Sequence, residues 1–226
     1  MFFKYFLEVT SINVVSADKM MVKARGPVWH QKQKKRNIMP KGLRGVDREA
    51  TWGRSRACGW VYGHGSFSIT CHEIPILGSF IWMRNSANEA KLMENEIVRC
   101  HELIETVCMD SKADDSKLYF RLKDNYGMQL LTKCRKKMNK TPLRKLMIKE
   151  MSTGEFREIY KQRSTTVEPM QGLVKDIFEL KTCWMRGDDN NRWLFAAMGI
   201  AVQMAQWQAC KAKQSTWNIK TLVLGV

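Results

Sequence analysis

The chain has 226 residues, enough for one large domain or two small ones with a sizeable core. Apolar residues make up 44% and charged residues 27%, which excludes a disordered or collagen-like chain. Lys and Arg number 38 against 22 Asp and Glu, a formal net charge of +16, and a surplus of that size points to a polyanionic partner, nucleic acid first.

The N-terminal MFFKYFLEV carries Lys4 and Glu8, lacks a cleavage-site pattern and does not read as a signal peptide. Ile12–Ala17 is short and β-branched and predicts a buried strand with Asp18 at its C-terminal end. Gly26-Pro27 then breaks the pattern, and the glycine-punctuated, basic stretch up to residue 56 predicts a long loop or excursion. Trp60–Thr70 and Ile76–Met83 predict a pair of strands joined through Pro75, and Asn88-Glu89 opens a helix running to about Glu105. Thr106–Met109 predicts a strand closed by Asp110. A helix over Asp115–Asn125 is stopped by Gly127, and Met128–Thr132 follows as another strand. Thr141-Pro142 starts a further helix, and Met170–Leu180 is amphipathic. Trp184, Trp193 and Trp207 follow a helical pattern that predicts packing. The order of elements predicts an α/β fold with a central sheet flanked by helices.

Seven cysteines are scattered without a C-x-x-C pair, and no His pair completes a zinc site; this usage suits a reducing compartment. The longest apolar run, Trp193 to Trp207, is broken by Gln203 and Gln206 and is too short to span a bilayer, so no membrane partner is expected.

Charge is segregated along the chain. Residues 22–56 hold eleven Lys/Arg against Asp47 and Glu49, and residues 133–149 hold eight basic residues and no acid. Between them, residues 85–115 carry eight acids against Lys91, Arg99 and Lys112. Two basic surfaces flanking a carboxylate-rich centre are expected. Within them, Lys34, Lys35, Arg36, Arg135 and Lys136 are candidate phosphate contacts. Trp29, Trp52 and Trp60 either stack on splayed bases or form a small core that shapes the excursion.

Isolated acids at the ends of neighbouring strands converge above a sheet, and three such carboxylates make an oxygen cage for a hard divalent cation. The candidates are Asp18, Asp110 and Glu168. Asp47 is the rival first acid, with Arg44 or Arg48 as its structural partner if Asp18 is preferred; Asp114 and Asp115 rival Asp110. Glu168 precedes Pro169, which predicts extended backbone at a helix cap, where the helix end favours a negative charge.

The stretch Tyr160-Lys161-Gln162-Arg163 through Glu168 to Lys175 resembles the Tyr-x2-Arg, Glu-x6-Lys signature of DDE-class insertion-sequence transposases. VSADKMMVKARGPVWH is similar to that family's first-acid segment, LRGVDREATWGRSRACGWVYGHGSF to its second and third strands with their lead-in, and VCMDSKADDSKLYFRL to its second-acid segment. The resemblance spans roughly residues 10 to 210 and implies an RNase H-like catalytic domain over 1–212, with the excursion at 22–56 and a tail at 213–226. It implies Mg²⁺, or Mn²⁺, held by Asp18, Asp110 and Glu168, with Tyr160, Arg163 and Lys175 against the DNA backbone. It further implies double-stranded element ends as partner, a homo-oligomer when full length, and a cytoplasmic, nucleoid-associated setting. Only seventeen residues precede Asp18, which suggests a frame truncated at its N-terminus. A non-catalytic transposase remnant that binds nucleic acid through its basic surfaces is the alternative.

Overall fold

The computed structural model describes residues 13–39, 42–55, 58–135 and 141–225. A single sheet holds six strands, β1 (Val14–Lys23), β2 (Thr51–Ser55), β3 (Gly59–Cys71), β4 (Leu77–Arg84), β5 (Thr106–Met109) and β6 (Gln129–Thr132). Along one path the order is β2-β3-β1-β5-β6, with β4 beside β3. The first four strands pair antiparallel, whereas β1-β5 and β5-β6 are parallel. Eight helices complete the described residues: α1 (Gln31–Lys35), α2 (Glu89–Ile97), α3 (Ser116–Tyr126), α4 (Pro142–Met151), α5 (Gly154–Lys161), α6 (Arg163–Ile177), α7 (Asp188–Lys211) and α8 (Lys220–Leu224).

Alternation along β1 divides the interior into two cores, as the two-residue period of a strand requires. Val15 and Ala17 face a core that includes Phe67, Ile69, Val107 and Leu130, with Met93 and Ile97 of α2 and Tyr119 and Leu122 of α3. Met20 and Val22 face the opposite side, where Met170 and Val174 of α6 and Phe195, Met198 and Val202 of α7 pack. The sheet is therefore covered on both faces, the mixed α/β arrangement the element order predicts.

Several boundaries differ from expectation. The first strand does not end at Ala17 but runs ten residues to Lys23, because the thirteen-residue β3 pairs with it from Val15↔Cys71 to Lys23↔Gly63. Helix α2 stops at Ile97 and passes into a 3-10 turn at Val98–Cys100 instead of reaching Glu105. Helix α5 was not evident in the sequence, and β2 lies within the segment that only the resemblance marked as strand. In β2, Gly53 is needed, since a Cβ there would lie 2.6 Å from the Asn85 carbonyl oxygen. The last amphipathic helix begins at Arg163, not Met170, and so contains Pro169. Burial of Val167, Met170 and Val174 outweighs the interior proline, which removes one backbone hydrogen bond. By contrast, α3 matches its expected span closely, with Asp115 at the N-cap and Gly127 at φ +65° closing it.

The basic excursion after β1 carries its own small core of Ala24, Trp29, Val46, Ala50 and Tyr62, with Trp52 packed against it. Trp29 is 5% exposed, the packing alternative for this residue, whereas Trp60 is 55% exposed. Packing was also expected of Trp184 and Trp193, yet they are 45% and 78% exposed; Trp184 precedes α7 and Trp193 lies on its outer face. In the segment expected to be a tail, Ile219 is fully buried in the second core. No helix among the described residues is long and apolar enough to cross a membrane. The N-terminal nonapeptide, Ile12, Arg56 and Lys136 lie outside the described residues.

Candidate active site

Asp18 and Asp110 meet because β1 outruns its parallel neighbour. The last β1-β5 pair is Ser16↔Cys108, and each aspartate stands two residues beyond its member of that pair. Asp110 caps the 3-10 turn Ser111–Ala113 by accepting the Lys112 N–H at 2.8 Å, and Thr132 Oγ1 donates to its carbonyl at 2.6 Å. Asp18 thus lies inside its strand, not at the C-terminal end, but at the level where β5 has already turned away.

Glu168 approaches from α6 and is linked to Asp18 through Arg163, but its carboxylate is not among the grouped oxygens that include those of Asp18 and Asp110. It sits in the second turn of that helix, with Pro169 after it, and not at a helix cap as expected. The helix-end field invoked for it is correspondingly weaker, since that effect fades beyond the first turn. Arg163 joins the acids, with NH2 2.8 Å from Asp18 Oδ2 and NH1 3.2 Å from Glu168 Oε1. Gln171 Nε2 donates to Ser68 Oγ at 2.9 Å, which in turn donates to the Asp18 carbonyl at 3.3 Å, so α6 is anchored to the strands beside the first acid. Tyr160, at the end of α5, lies in the charge field of Arg163 and Asp110, and burial pushes its hydroxyl pKa up. Lys175 stands two turns beyond Glu168 and lines a groove with Lys23, Lys181 and Lys220.

A fourth carboxylate was missed. Glu89, the first residue of α2, is 3% exposed, and its carboxylate offers an oxygen that lies with oxygens of Asp18 and Asp110 in a group spanning no more than 4.8 Å. A glutamate behind an Asn cap is an ordinary helix start, so nothing in the sequence marks this one as buried at a site. Lys112 Nζ donates to Glu89 Oε1 at 2.5 Å, and Lys19 Nζ lies 3.9 Å from the same oxygen.

Burial sets the electrostatics of the cluster. It raises the Asp18 pKa, opposed by Arg163 and the Lys19 N–H and reinforced by Asp110 and Glu168. Burial likewise raises Glu89, against the pull of Lys112. Lys112 itself is pushed up: burial works against its charge, but Glu89, Asp110 and Asp18 outweigh it. Asp18 and Glu89, oxygen donors whose burial disfavours the charged form, suit a hard divalent cation, which lowers the cost of charging a carboxylate beside it.

The rival acids are engaged elsewhere. Asp47 is 1% exposed and accepts from His64 Nε2 at 2.8 Å and the Gly187 N–H at 3.0 Å, instead of pairing with Arg44 or Arg48. Asp114 holds Arg144 NH2 at 2.6 Å. Asp115 caps α3. Burial acts to raise the Asp47 pKa, but the hydrogen bonds from His64 and Gly187 more than reverse it, and the net shift is downward from 3.8. Stability from this carboxylate is therefore present above the unfolded value and lost as the pH falls through the depressed folded one. Asp47→Asn is expected to cost about 2 kcal/mol in urea unfolding at pH 7, an increment that shrinks as the pH is taken below about 4. A cost that stays constant down to pH 3 contradicts this account.

The candidate phosphate contacts divide. Lys35, Arg36 and Arg135 are exposed. Lys34 is not available in the way expected: its ammonium donates to the carbonyls of Arg48 and Ala50 at 2.6 Å each and lies over the rings of Trp29 and Tyr62. Its place on α1 turns it towards Trp29 and Tyr62, where it ties the excursion together.

No protein-family model and no curated protein sequence matches this chain. Its fold is similar to that of a piggyBac transposase, solved by cryo-EM as a synaptic complex with hairpin DNA. The TM-score is 0.54 at 9% sequence identity, covering 94% of this chain and 51% of that one. The chain thus spans about half the length of that protein, and at this identity the likeness concerns the fold.

Proposed function

We propose that this chain is the RNase H-like catalytic region of a DNA transposase, which cuts and joins phosphodiester bonds in double-stranded DNA. The observation that carries the reading is the grouping of Asp18 and Asp110 oxygens at the ends of the β1-β5 pairing, with Arg163 linking Asp18 to Glu168 of α6. Three antiparallel strands followed by two parallel ones, in the order β4-β3-β1-β5-β6, support the RNase H-like assignment. The fold likeness to a transposase handling hairpin DNA supports the substrate class. Asp18, Asp110 and Glu168 would hold Mg²⁺, or Mn²⁺, and the donor set fits: it is all oxygen, and Glu89 Oε2 beside it is buried without a hydrogen-bond partner among the described residues. When bound, two such ions supply polarisation of the attacking and leaving oxygens of an in-line displacement.

The chain's own residues do the remaining work. Arg163 neutralises Asp18 and Glu168 and keeps both carboxylates oriented towards each other. Its guanidinium is a planar donor whose fork suits pairing with carboxylates. Tyr160 and Lys175 flank it at either end, against the strand entering and leaving. The exposed Lys35, Arg36 and Arg135 neutralise phosphates without reading sequence. Nicking of supercoiled DNA by the purified chain in Mg²⁺ or Mn²⁺, and none in EDTA, is the expected result; no nicking in either metal overturns the catalytic reading.

The two kinds of lysine in α1 separate in binding assays. Lys35→Ala and Arg36→Ala are each expected to lower the slope of log affinity against log salt by about 1, one lost phosphate contact apiece. Lys34→Ala is expected to leave the slope unchanged and to lower thermal stability instead. An equal slope change for all three contradicts the division.

A further inference from the structure

Glu89 has an unusual balance for a buried acid. It is 3% exposed, Oε1 is taken by Lys112 and approached by Lys19, and Oε2 has no hydrogen-bond partner among the described residues. A buried carboxylate oxygen without a hydrogen bond carries a desolvation cost that the lysines on the other oxygen offset only in part. Its carboxylate belongs to the group with Asp18 and Asp110 whose donor atoms all lie within 4.8 Å of one another. That spacing leaves room for one ion between three carboxylates.

The protein's own cations are distributed on two sides of this group. Arg163 bridges Asp18 to Glu168 on the α6 side. Lys112, held close by its own N–H bond to Asp110, puts its ammonium 2.5 Å from Glu89 on the α2 side. Four carboxylates thus face three cations, Arg163, Lys112 and Lys19. One of those cations, Lys112, is on a flexible stem whose side chain is 44% exposed and free to swing outward. Arg163 is 10% exposed and has no such freedom.

We propose that Glu89 is a direct ligand of a divalent cation shared with Asp18 and Asp110, and that Lys112 is a tethered cation holding that position until the metal displaces it. This rests on the metal-dependent reading of the site, and adds a ligand from α2 and a built-in competitor to it. The competitor gives the site a function in the metal-free state: the acids stay neutralised and spaced, and metal entry is linked to release of a lysine into the groove where a DNA phosphate passes.

Titration of the intact chain with Mn²⁺, following the free ion by electron paramagnetic resonance, tests this without using activity. Glu89→Gln is expected to weaken Mn²⁺ binding by about tenfold or more, as loss of a ligand does. Lys112→Met is expected to tighten it by about tenfold, because a fixed positive charge beside the ion is gone. In Glu89→Gln the added Lys112→Met change is expected to give no gain, since the lysine competes through that carboxylate. Lys112→Met also covers the case in which Glu89→Gln fails to fold. Wild-type affinity in both single variants, with binding lost in Asp18→Asn, overturns the proposal and leaves the wider metal reading standing. No Mn²⁺ binding by the wild-type chain overturns both.

Discussion

Glu168→Gln is expected to reduce metal-dependent nicking by roughly a hundred- to a thousandfold or more while leaving DNA affinity and fold unchanged. The reasoning starts from how little Glu168 does for the metal-free structure. Its side chain is 57% exposed, and Arg163, 3.2 Å away, is its ion-pair partner among the described residues. An exposed pair of that kind contributes at most about 1 kcal/mol, and Arg163 keeps its bond to Asp18 when Glu168 becomes neutral. The amide matches the acid in shape and removes one negative charge, so contact with phosphates elsewhere on the surface is unaffected. What it removes is an anionic oxygen linked through Arg163 to Asp18, and on the proposed mechanism the second ion would then lose its ligand from α6. Gel shifts and nicking assays on the same preparations check the split. Undiminished nicking would remove Glu168 from the chemistry, and with it the strongest link between the Tyr160–Lys175 signature and catalysis.

Arg144→Met is expected to produce the largest loss of stability, roughly 3–5 kcal/mol, seen as a melting point lowered by about 10 °C. The Arg144 and Asp114 side chains are 4% and 0% exposed and meet at 2.6 Å, and Asp114 also accepts the Arg135 N–H at 2.6 Å. Removing the guanidinium leaves a buried anion without its charge partner, which costs far more than the pair itself contributes. The pair joins the start of α4 to the turn after β5, so its loss also loosens the ground on which Asp110 stands. Asp114→Asn, which retains an acceptor for the Arg135 N–H, is expected to be milder and to leave Mn²⁺ binding as in the wild type. A change below 1 kcal/mol for Arg144→Met, or lost Mn²⁺ binding for Asp114→Asn, would return Asp114 to the list of metal ligands.

Sequence reasoning was most reliable where local chemistry acts alone. The Gly127 stop and the Thr141-Pro142 start placed the end of α3 and the beginning of α4 correctly, because each depends on backbone chemistry within a few residues. It was least reliable where partners lie far along the chain. Asp18 looked like a strand end because INVVSA stops being apolar there, yet β3 extends the strand five residues further. Glu168-Pro169 looked like a helix cap because the residue before proline avoids helical backbone, but packing of Val167 and Met170 carries the helix through. Lys34 looked like its neighbours Lys35 and Arg36, and only the fold turns it onto Trp29 and Tyr62. Glu89 was invisible, since burial and an empty carboxylate oxygen leave no trace in residue type or spacing.

Its residues alone mark this chain as a basic α/β protein with an acid closing each of two expected strands and an arginine and a glutamate ahead of a late helix. Charge, periodicity and turn formers are local quantities, and they add up along the chain without reference to its path in space. The tertiary structure decided which acids gather and which are spent on stability: Asp18, Asp110 and Glu89 converge where β1 outruns β5, with Glu168 linked to Asp18 through Arg163, while Asp47 and Asp114 are bonded into the scaffold. The reason is that an acid's role follows from its partners and its burial, and both are created only when distant strands and helices are brought together.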